Sequence, residues 1–573
     1  MAHSIRIAIA GCLLAAGVFA APAPVADAAM KGDKTAVHAL LQQKADVNLP
    51  QADGATAIQW AAYRGDLELA DLLIAAGADV KKANREGASP MYLAGLEGNA
   101  AMMGRLLKAG ADPEEHGPTG ETPLMLASRT GNVEAIRVLL AGKANVNAKD
   151  GLRGTTPLMW AVEQAHPGAV KLLIAAGADV KAVTKADTRN ARNNLADTVA
   201  ARLNSSFGVV GQAKAKAGGR GGAPGADVPP SEAPLAGGGF FGRPAKFDGG
   251  GLTALVFAAR EDCLECAKAL VAAGADVNQR TSYGWTALLT ATQNRHYNLG
   301  QWLLEHGADV NIPNNGGWTP LYLATDNRNI ETGDYPVRTP DMDHLAYIKL
   351  LLAKGANVNA RICGADSTKD RCKGDTTETR NNFTMQWLYE DGATPFLRAA
   401  QSGDVVLMKL LLERGANPKI FTATSVTPLM TAAGYGWVEG VTFEWSPEQS
   451  LEAVKMCLDL GIDPNIQEED GRTALHSAAH KGRPEVVQML VDHGADLQIH
   501  DKGSRDSVNG ALLGHTWMPI DWSRGLVRVG VQSAIPHPEV EKLMVKLMTE
   551  RGMEIPPPPV SSICLTKGIN GCQ

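Results

Sequence analysis

The sequence predicts an all-α repeat solenoid with short β-hairpin loops, and three observations carry that prediction. A short terminator, usually Gly-Ala-Asp or Gly-Ala-Asn, begins at Lys44, Gly77, Gly110, Lys143, Gly177, Gly274, Gly307, Gly355, Gly415, Gly461 and Gly494. Most successive terminators lie 33 or 34 residues apart, and the longer intervals exceed 33 by 64, 15, 27 and 13 residues. Those excesses read as insertions into one repeating unit. Between terminators the same helix punctuation returns, and at 573 residues the chain is too long for one compact core.

Each period opens on a helix start. In Thr156-Pro157-Leu158 the threonine can cap the helix, and proline takes the first helical position, where its missing N–H costs nothing. Thr122-Pro123-Leu124, Thr319-Pro320-Leu321, Thr394-Pro395-Phe396 and Thr427-Pro428-Leu429 repeat the device. Paired small residues such as Ala61-Ala62 and Ala399-Ala400 then let neighbouring helices approach, and Gly65, Gly131 or Gly403 ends the short first helix. A second helix carries paired leucines (Leu72-Leu73, Leu139-Leu140, Leu411-Leu412) at core spacing before the terminator closes it.

The pattern Asp-Gly-x-Thr-Pro-Leu-x-x-Ala-Ala, followed by Leu-Leu-x-x-Gly-Ala-Asp-Val-Asn, resembles the ankyrin-repeat family over about residues 25 to 557. The resemblance implies about eleven pairs of antiparallel helices, stacked so that neighbours bury one continuous core, with hairpin tips projecting as a row. His476 stands at the family's usual histidine. Gln59, Met125, Met159, Tyr322 and Leu397 replace it elsewhere, which is expected to weaken the polar network between repeats.

The ends and interruptions set the organisation. Residues 1–23 read as a signal peptide: Arg6 is followed by an apolar run from Ile7 to Ala21, and Val18-Phe19-Ala20 offers a cleavage pattern. That implies export, to the periplasm or the medium. Ile9-Ala10-Gly11-Cys12 resembles a lipoprotein box and is the secondary alternative. No span is expected in the mature chain. Residues 24–183 form an N-terminal array, and 184–247 an insertion with a short helix at Asn190–Leu203 and a Gly/Pro/Ala-rich stretch too poor in apolar residues to fold. Residues 248–557 form a C-terminal array with further loop insertions, and 558–573 a cysteine-stapled tail. Insertions on one face of a repeat protein are often binding equipment, which points to the C-terminal half.

Several function classes are excluded or weakened. A net charge of −6 argues against nucleic acid, which demands dense Lys and Arg. There is no phosphate-cradling Gly-Lys-Ser/Thr loop, no His-Glu-x-x-His and no Gly-x-Ser-x-Gly. No catalytic residues and no cofactor are therefore assigned. His476 and His480, four apart, lack a third ligand, and Asp341, Asp343 and His344 give only a weak cation signal. Cys263 with Cys266, Cys363 with Cys372, and Cys564 with Cys572 are candidate disulfides in an oxidising compartment, and Cys457 reads as a buried hydrophobe.

The expected function is an extracytoplasmic protein-binding scaffold working as a single chain, with another protein as partner. Its candidate contacts are Tyr283, Trp285 and Trp318 on the hairpin row, where the aromatics either form a platform or pack along the row. Tyr63, Arg64, Arg129, Arg260, Gln293, Asn294 and Asp326 lie just past the paired small residues, on the concave side by family analogy. The alternative is an accessory redox or metal-dependent protein in which the insertions or the Cys263/Cys266 pair carry the activity.

Overall fold

The computed structural model describes residues 23–185, 250–329, 338–362, 392–437, 443–503, 516–525 and 535–557. Helix pairs follow one another throughout, and the strand content among the described residues is a single bridge between Val183 and Thr253. The first helix of each pair starts as the sequence predicts. Thr156 Oγ1 accepts the Met159 N–H at 3.3 Å, and Thr319, Thr394 and Thr427 cap their helices in the same way. Asp66, Asn99, Asn132 and Asp404 cap second helices through their side-chain oxygens. The terminator glycine is needed for backbone conformation rather than for space. Gly77 has φ +85° and Gly177 φ +91°, and a Cβ at either would meet nothing within 4 Å.

The chain divides into two compact units. The first comprises Met1–Phe257 and Glu265–Ala275, and the second Ala258–Leu264 and Asp276–Gln573. In the first unit the pair Pro24–Lys31 and Lys34–Gln42 lacks the Thr-Pro-Leu half and packs against Ala57–Arg64, with Val37 the buried residue of its second helix. Four complete pairs follow, from Ala57–Arg64 with Leu67–Ala75 to Pro157–Glu163 with Pro167–Ala175. Their cores are the leucines and small residues of the pattern: Leu69, Leu73, Leu106, Leu139 and Leu173 have no accessible surface. The second unit repeats the arrangement and ends on Pro519–Ser523 and Pro538–Glu550, the degenerate terminal pair.

Hydrogen bonds between loops hold the repeats in register. Asn48 Nδ2 donates to the Gly77 carbonyl at 3.0 Å while its Oδ1 accepts the Asp79 N–H at 2.7 Å. Asn147 makes the same pair in the first unit, and Asn278, Asn311, Asn359 and Asn465 make it in the second. Asn359 reaches Gly415 across the 363–391 interval, so that insertion leaves the stack intact. The second bond system is the histidine position, and here one expectation is corrected. Gln59 Oε1 accepts the Thr56 N–H at 2.6 Å and its Nε2 donates to the Ala88 carbonyl at 2.6 Å. His476 Nδ1 accepts the Thr473 N–H at 3.0 Å and Nε2 bonds the Trp517 carbonyl at 3.1 Å. Glutamine therefore preserves the network that its substitution was expected to weaken.

Candidate functional site

The residues just past the paired small residues behave differently in the two units. In the first unit Tyr63, at the end of Ala57–Arg64, is 57% exposed. Its ring is held in place by the edge of Trp60, 6.0 Å away at 87°. Trp60 is fixed in turn, since its indole N–H donates to Gln51 Oε1 at 2.7 Å and Gln51 Nε2 donates to Asp27 at 2.6 Å. Exposed Arg64 reaches the Met30 carbonyl at 3.4 Å.

The positions equivalent to Trp60 and Tyr63 recur along the unit. Leu93 and Leu96 occupy them in the next repeat, Leu126 and Arg129 in the one after, and Trp160 and Glu163 in the fourth. Of these Leu126 is buried and the others are half-buried. Arg129 stands 5.8 Å over the Trp160 ring, whose N–H donates to Thr155 Oγ1 at 2.7 Å. Leu93 and Leu96 were not singled out from the sequence, though their offset from Ser89-Pro90 is that of Trp60 and Tyr63 from the preceding helix start.

In the second unit the equivalent polar residues are buried or half-buried. Asp326 is 3% exposed, and its carboxylate accepts from Arg398 Nε at 2.6 Å, so it is a structural ion-pair partner rather than a contact residue. Gln401 and His480 are buried as well. Gln293 and Asn294 are half-buried, with Asn294 donating to the Thr290 carbonyl at 2.9 Å, and half-buried Arg260 pairs with Glu261 at 2.6 Å. The loop insertions that point to the C-terminal half fall largely outside the described residues, at 330–337, 363–391 and 438–442, and the open aromatic among these positions is Tyr63 of the first unit.

The hairpin aromatics pack rather than project. Tyr283 and Trp285 are each 9% exposed and Trp318 is fully buried, with its ring edge-on to Tyr322 at 4.9 Å. Of the two readings the sequence leaves open, these burials agree with packing along the row. A Gly-Trp-Thr tip turns the indole back onto its own first helix, and the Trp318 backbone N–H donates to Asn314 Oδ1 at 2.9 Å.

Buried polar groups in the second unit are tuned by desolvation. Burial pushes His476 down to about 3 and His480 down to about 4, so both are neutral at ordinary pH. His344, also lowered by burial to about 4, bonds the Tyr297 hydroxyl at 2.7 Å, and Tyr297 stacks on Tyr347 at 4.1 Å. Asp341 accepts the Tyr297 N–H at 2.7 Å and Asp343 caps the helix His344–Ala353, which gives these carboxylates structural work. Among the described residues no group of three or more His, Cys, Asp or Glu side chains is placed to hold a metal ion, and no helix is long and apolar enough to cross a membrane. Cys263 and Cys266 are buried and disulfide-bonded, while Cys457 is a buried free thiol. Cys363, Cys372, Cys564 and Cys572 lie outside the described residues, as do residues 1–22, the segment 186–249 and the tail from 558.

Comparison with known proteins agrees with the geometry. A three-copy ankyrin-repeat model matches residues 25–116, 97–184 and 255–362, a many-copy model matches 448–491, and a single-repeat model matches 391–423. Together they cover more than half of the chain. The chain is similar to ankyrin repeat, SAM and basic leucine zipper domain-containing protein 1 of Dasypus novemcinctus, 36% identical over 105 residues (18% of this chain and 20% of that protein). Ankyrin repeat and KH domain-containing protein mask-1 of Caenorhabditis elegans is 30% identical over 159 residues (25% and 6%), and human ankyrin repeat domain-containing protein 63 is 32% identical over 129 residues (22% and 31%). The matched region thus spans less than a third of the length of each of these relatives. Among solved structures, the human ASB11 ankyrin repeat domain is 22% identical with a TM-score of 0.36, over 50% of this chain and 99% of that one. With its repeats, caps and family matches in agreement, the chain belongs to the ankyrin-repeat family.

Proposed function

We propose that this chain is a non-catalytic protein-binding scaffold whose working surface is the inner row of the first unit. The observation that carries the reading is Tyr63: a large aromatic, more than half exposed, whose ring is fixed by Trp60 and the Gln51–Asp27 chain before any partner arrives. Aromatic and arginine side chains held rigid in advance lose little entropy on binding, and they dominate interface energies. With helix layers about 8–10 Å apart, the three repeat steps from Trp60 to Trp160 span roughly 25–30 Å, the length of a helix of about 20 residues. The row is apolar at Trp60, Leu93 and Leu96, with Arg64 in its first repeat, Arg129 in its third and Glu163 in its fourth. A partner segment with one apolar face and carboxylates near the two arginines fits it.

The place of action is read as extracytoplasmic. The signal pattern of residues 1–23 and the disulfide-bonded state of Cys263 and Cys266 support that reading, since disulfides persist in oxidising compartments. The test is a Trp60/Tyr63 double alanine variant whose far-UV circular dichroism matches the wild type. Loss of a partner that wild type retains supports the inner row, and undiminished capture by the folded variant removes it.

A further inference from the structure

An insertion stem in the second unit makes contacts that a simple repeat stack does not. Phe443–Ser446 leads into the helix Pro447–Asp459, and its side chains reach repeats on both sides. Trp445 donates its indole N–H to Asn329 Oδ1 at 2.9 Å and its backbone N–H to the Ser402 carbonyl at 3.1 Å. The Arg328 guanidinium lies 4.5 Å over the indole and is itself held by Asp404, Nε to Oδ2 at 2.7 Å. Asn329 is fixed by its own bonds to the Thr325 carbonyl and Asp404. In the other direction Glu444 takes Lys481 at 3.0 Å and Arg483 at 2.8 Å. Those two bases hold its carboxyl below the usual range although burial opposes them.

We propose that Phe443–Ser446 is a strap that ties four consecutive repeats of the second unit into one unfolding unit and occupies the inner face they would otherwise present. The partners define the span. Asn329 and Arg328 belong to the repeat opened by Pro320–Arg328, Ser402 and Asp404 to the one opened by Pro395–Gln401, the strap to the one opened by Pro428–Ala433, and Lys481 and Arg483 to the one opened by Ala474–Lys481. In an ordinary array each repeat touches only its neighbours, so stability is a sum of local and nearest-neighbour contributions and the stack can fray repeat by repeat. A contact two repeats back adds a connection that must break before the intervening repeat can open alone. The same architecture occurs at a second insertion, where Arg338 donates to the Arg260 carbonyl at 3.2 Å and meets His296 at 2.8 Å, again reaching two repeats back. Trp445 sits against the end of the helix whose Asp326 is buried, whereas no described stem covers Tyr63.

Hydrogen exchange of the full-length chain tests this, with the helix Pro320–Arg328 as the reporter. Trp445→Ala is compared with Val454→Ala, which empties a core position in the same repeat without touching the strap. In Trp445→Ala the amides of Pro320–Arg328 are expected to exchange about tenfold faster, the loss expected from one hydrogen bond and one cation–π contact. Pro395–Gln401 should follow. Val454→Ala is expected to speed exchange in its own and adjacent repeats and to leave Pro320–Arg328 unchanged. Should Trp445→Ala fail to fold, Trp445→Phe removes the indole N–H while keeping a ring, and is read in the same way. Faster exchange confined to residues around 443–459 would overturn the proposal. So would an effect at Pro320–Arg328 no larger than that of Val454→Ala.

Discussion

Arg398 and Asp326 form an ion pair at 2.6 Å between neighbouring repeats, with 1% and 4% of their side chains accessible. The guanidinium donates also to Ser402 Oγ at 2.9 Å and the Asn329 carbonyl at 2.7 Å, so all three of its nitrogens are engaged. A charge so buried is tolerable only while its partner remains. Removing one member leaves an uncompensated charge, at a cost of about 3–5 kcal/mol. Asp326→Ala is therefore expected to lower the denaturant midpoint of the second unit strongly, and a change of under about 1 kcal/mol would contradict the structure. Replacing both residues by apolar ones of similar volume should recover much of the loss.

Exposed and buried aromatics should separate cleanly. Trp318→Ala empties a fully buried site and is expected to cost about 3–5 kcal/mol. Tyr63→Ala removes a side chain that mostly faces solvent, and should change stability by no more than about 1 kcal/mol. Thermal unfolding of the two variants side by side reads the difference directly.

Acid should destabilise the second unit through its buried histidines. The folded values of His476 and His480 lie below the usual 6.5, so on acidification the unfolded chain takes up protons that the folded one refuses. Their contribution is complete above about pH 6.5 and is lost as pH falls toward about 4 for His480 and about 3 for His476, at about 1.4 kcal/mol per pH unit for each. Buried Glu468 and Asp521, whose carboxyls burial raises, work with the opposite sign at pH above the ordinary carboxyl range. Gln59 shows that a glutamine makes the same pair of bonds. His476→Gln is accordingly expected to flatten the stability profile between pH 6.5 and 4 while keeping the fold at neutral pH, and an unchanged profile would refute the assignment.

Lys143 occupies the position that Gly177 fills one repeat later, with φ +70° against +91°. A side chain in that left-handed region costs about 1 kcal/mol. Lys143→Gly should stabilise the first unit by about 0.5–1 kcal/mol in urea unfolding, and Gly177→Ala should destabilise it by a similar amount.

Most of the fold was legible because its signals are local and repeated. A threonine cap, a proline at the first helical position and a positive-φ terminator act within a few residues, and each was found where the 33-residue period placed it. The candidate site was legible only in part. Tyr63, Arg64 and Arg129 were identified from their offset alone, whereas Asp326 at the same offset is buried because its partner stands one repeat on, 72 residues away in sequence. Opposite charges in neighbouring repeats, Asp326 and Arg328 in one against Arg398 and Asp404 in the next, are the signal that could have revealed the pairing. Trp285 and Trp318 were open to both readings because aromatics are favoured at interfaces while the turn of Gly-Trp-Thr turns them inward.

The central claim, that a partner docks on the inner row of the first unit, is tested most directly by placing a photo-cross-linking residue at position 63 and, separately, at exposed position 406 on an outer helix of the second unit. The account predicts one discrete protein adduct from position 63, lost when Arg129 and Trp160 are both replaced by alanine in a folded chain. Adducts from position 406 with none from position 63 would contradict it.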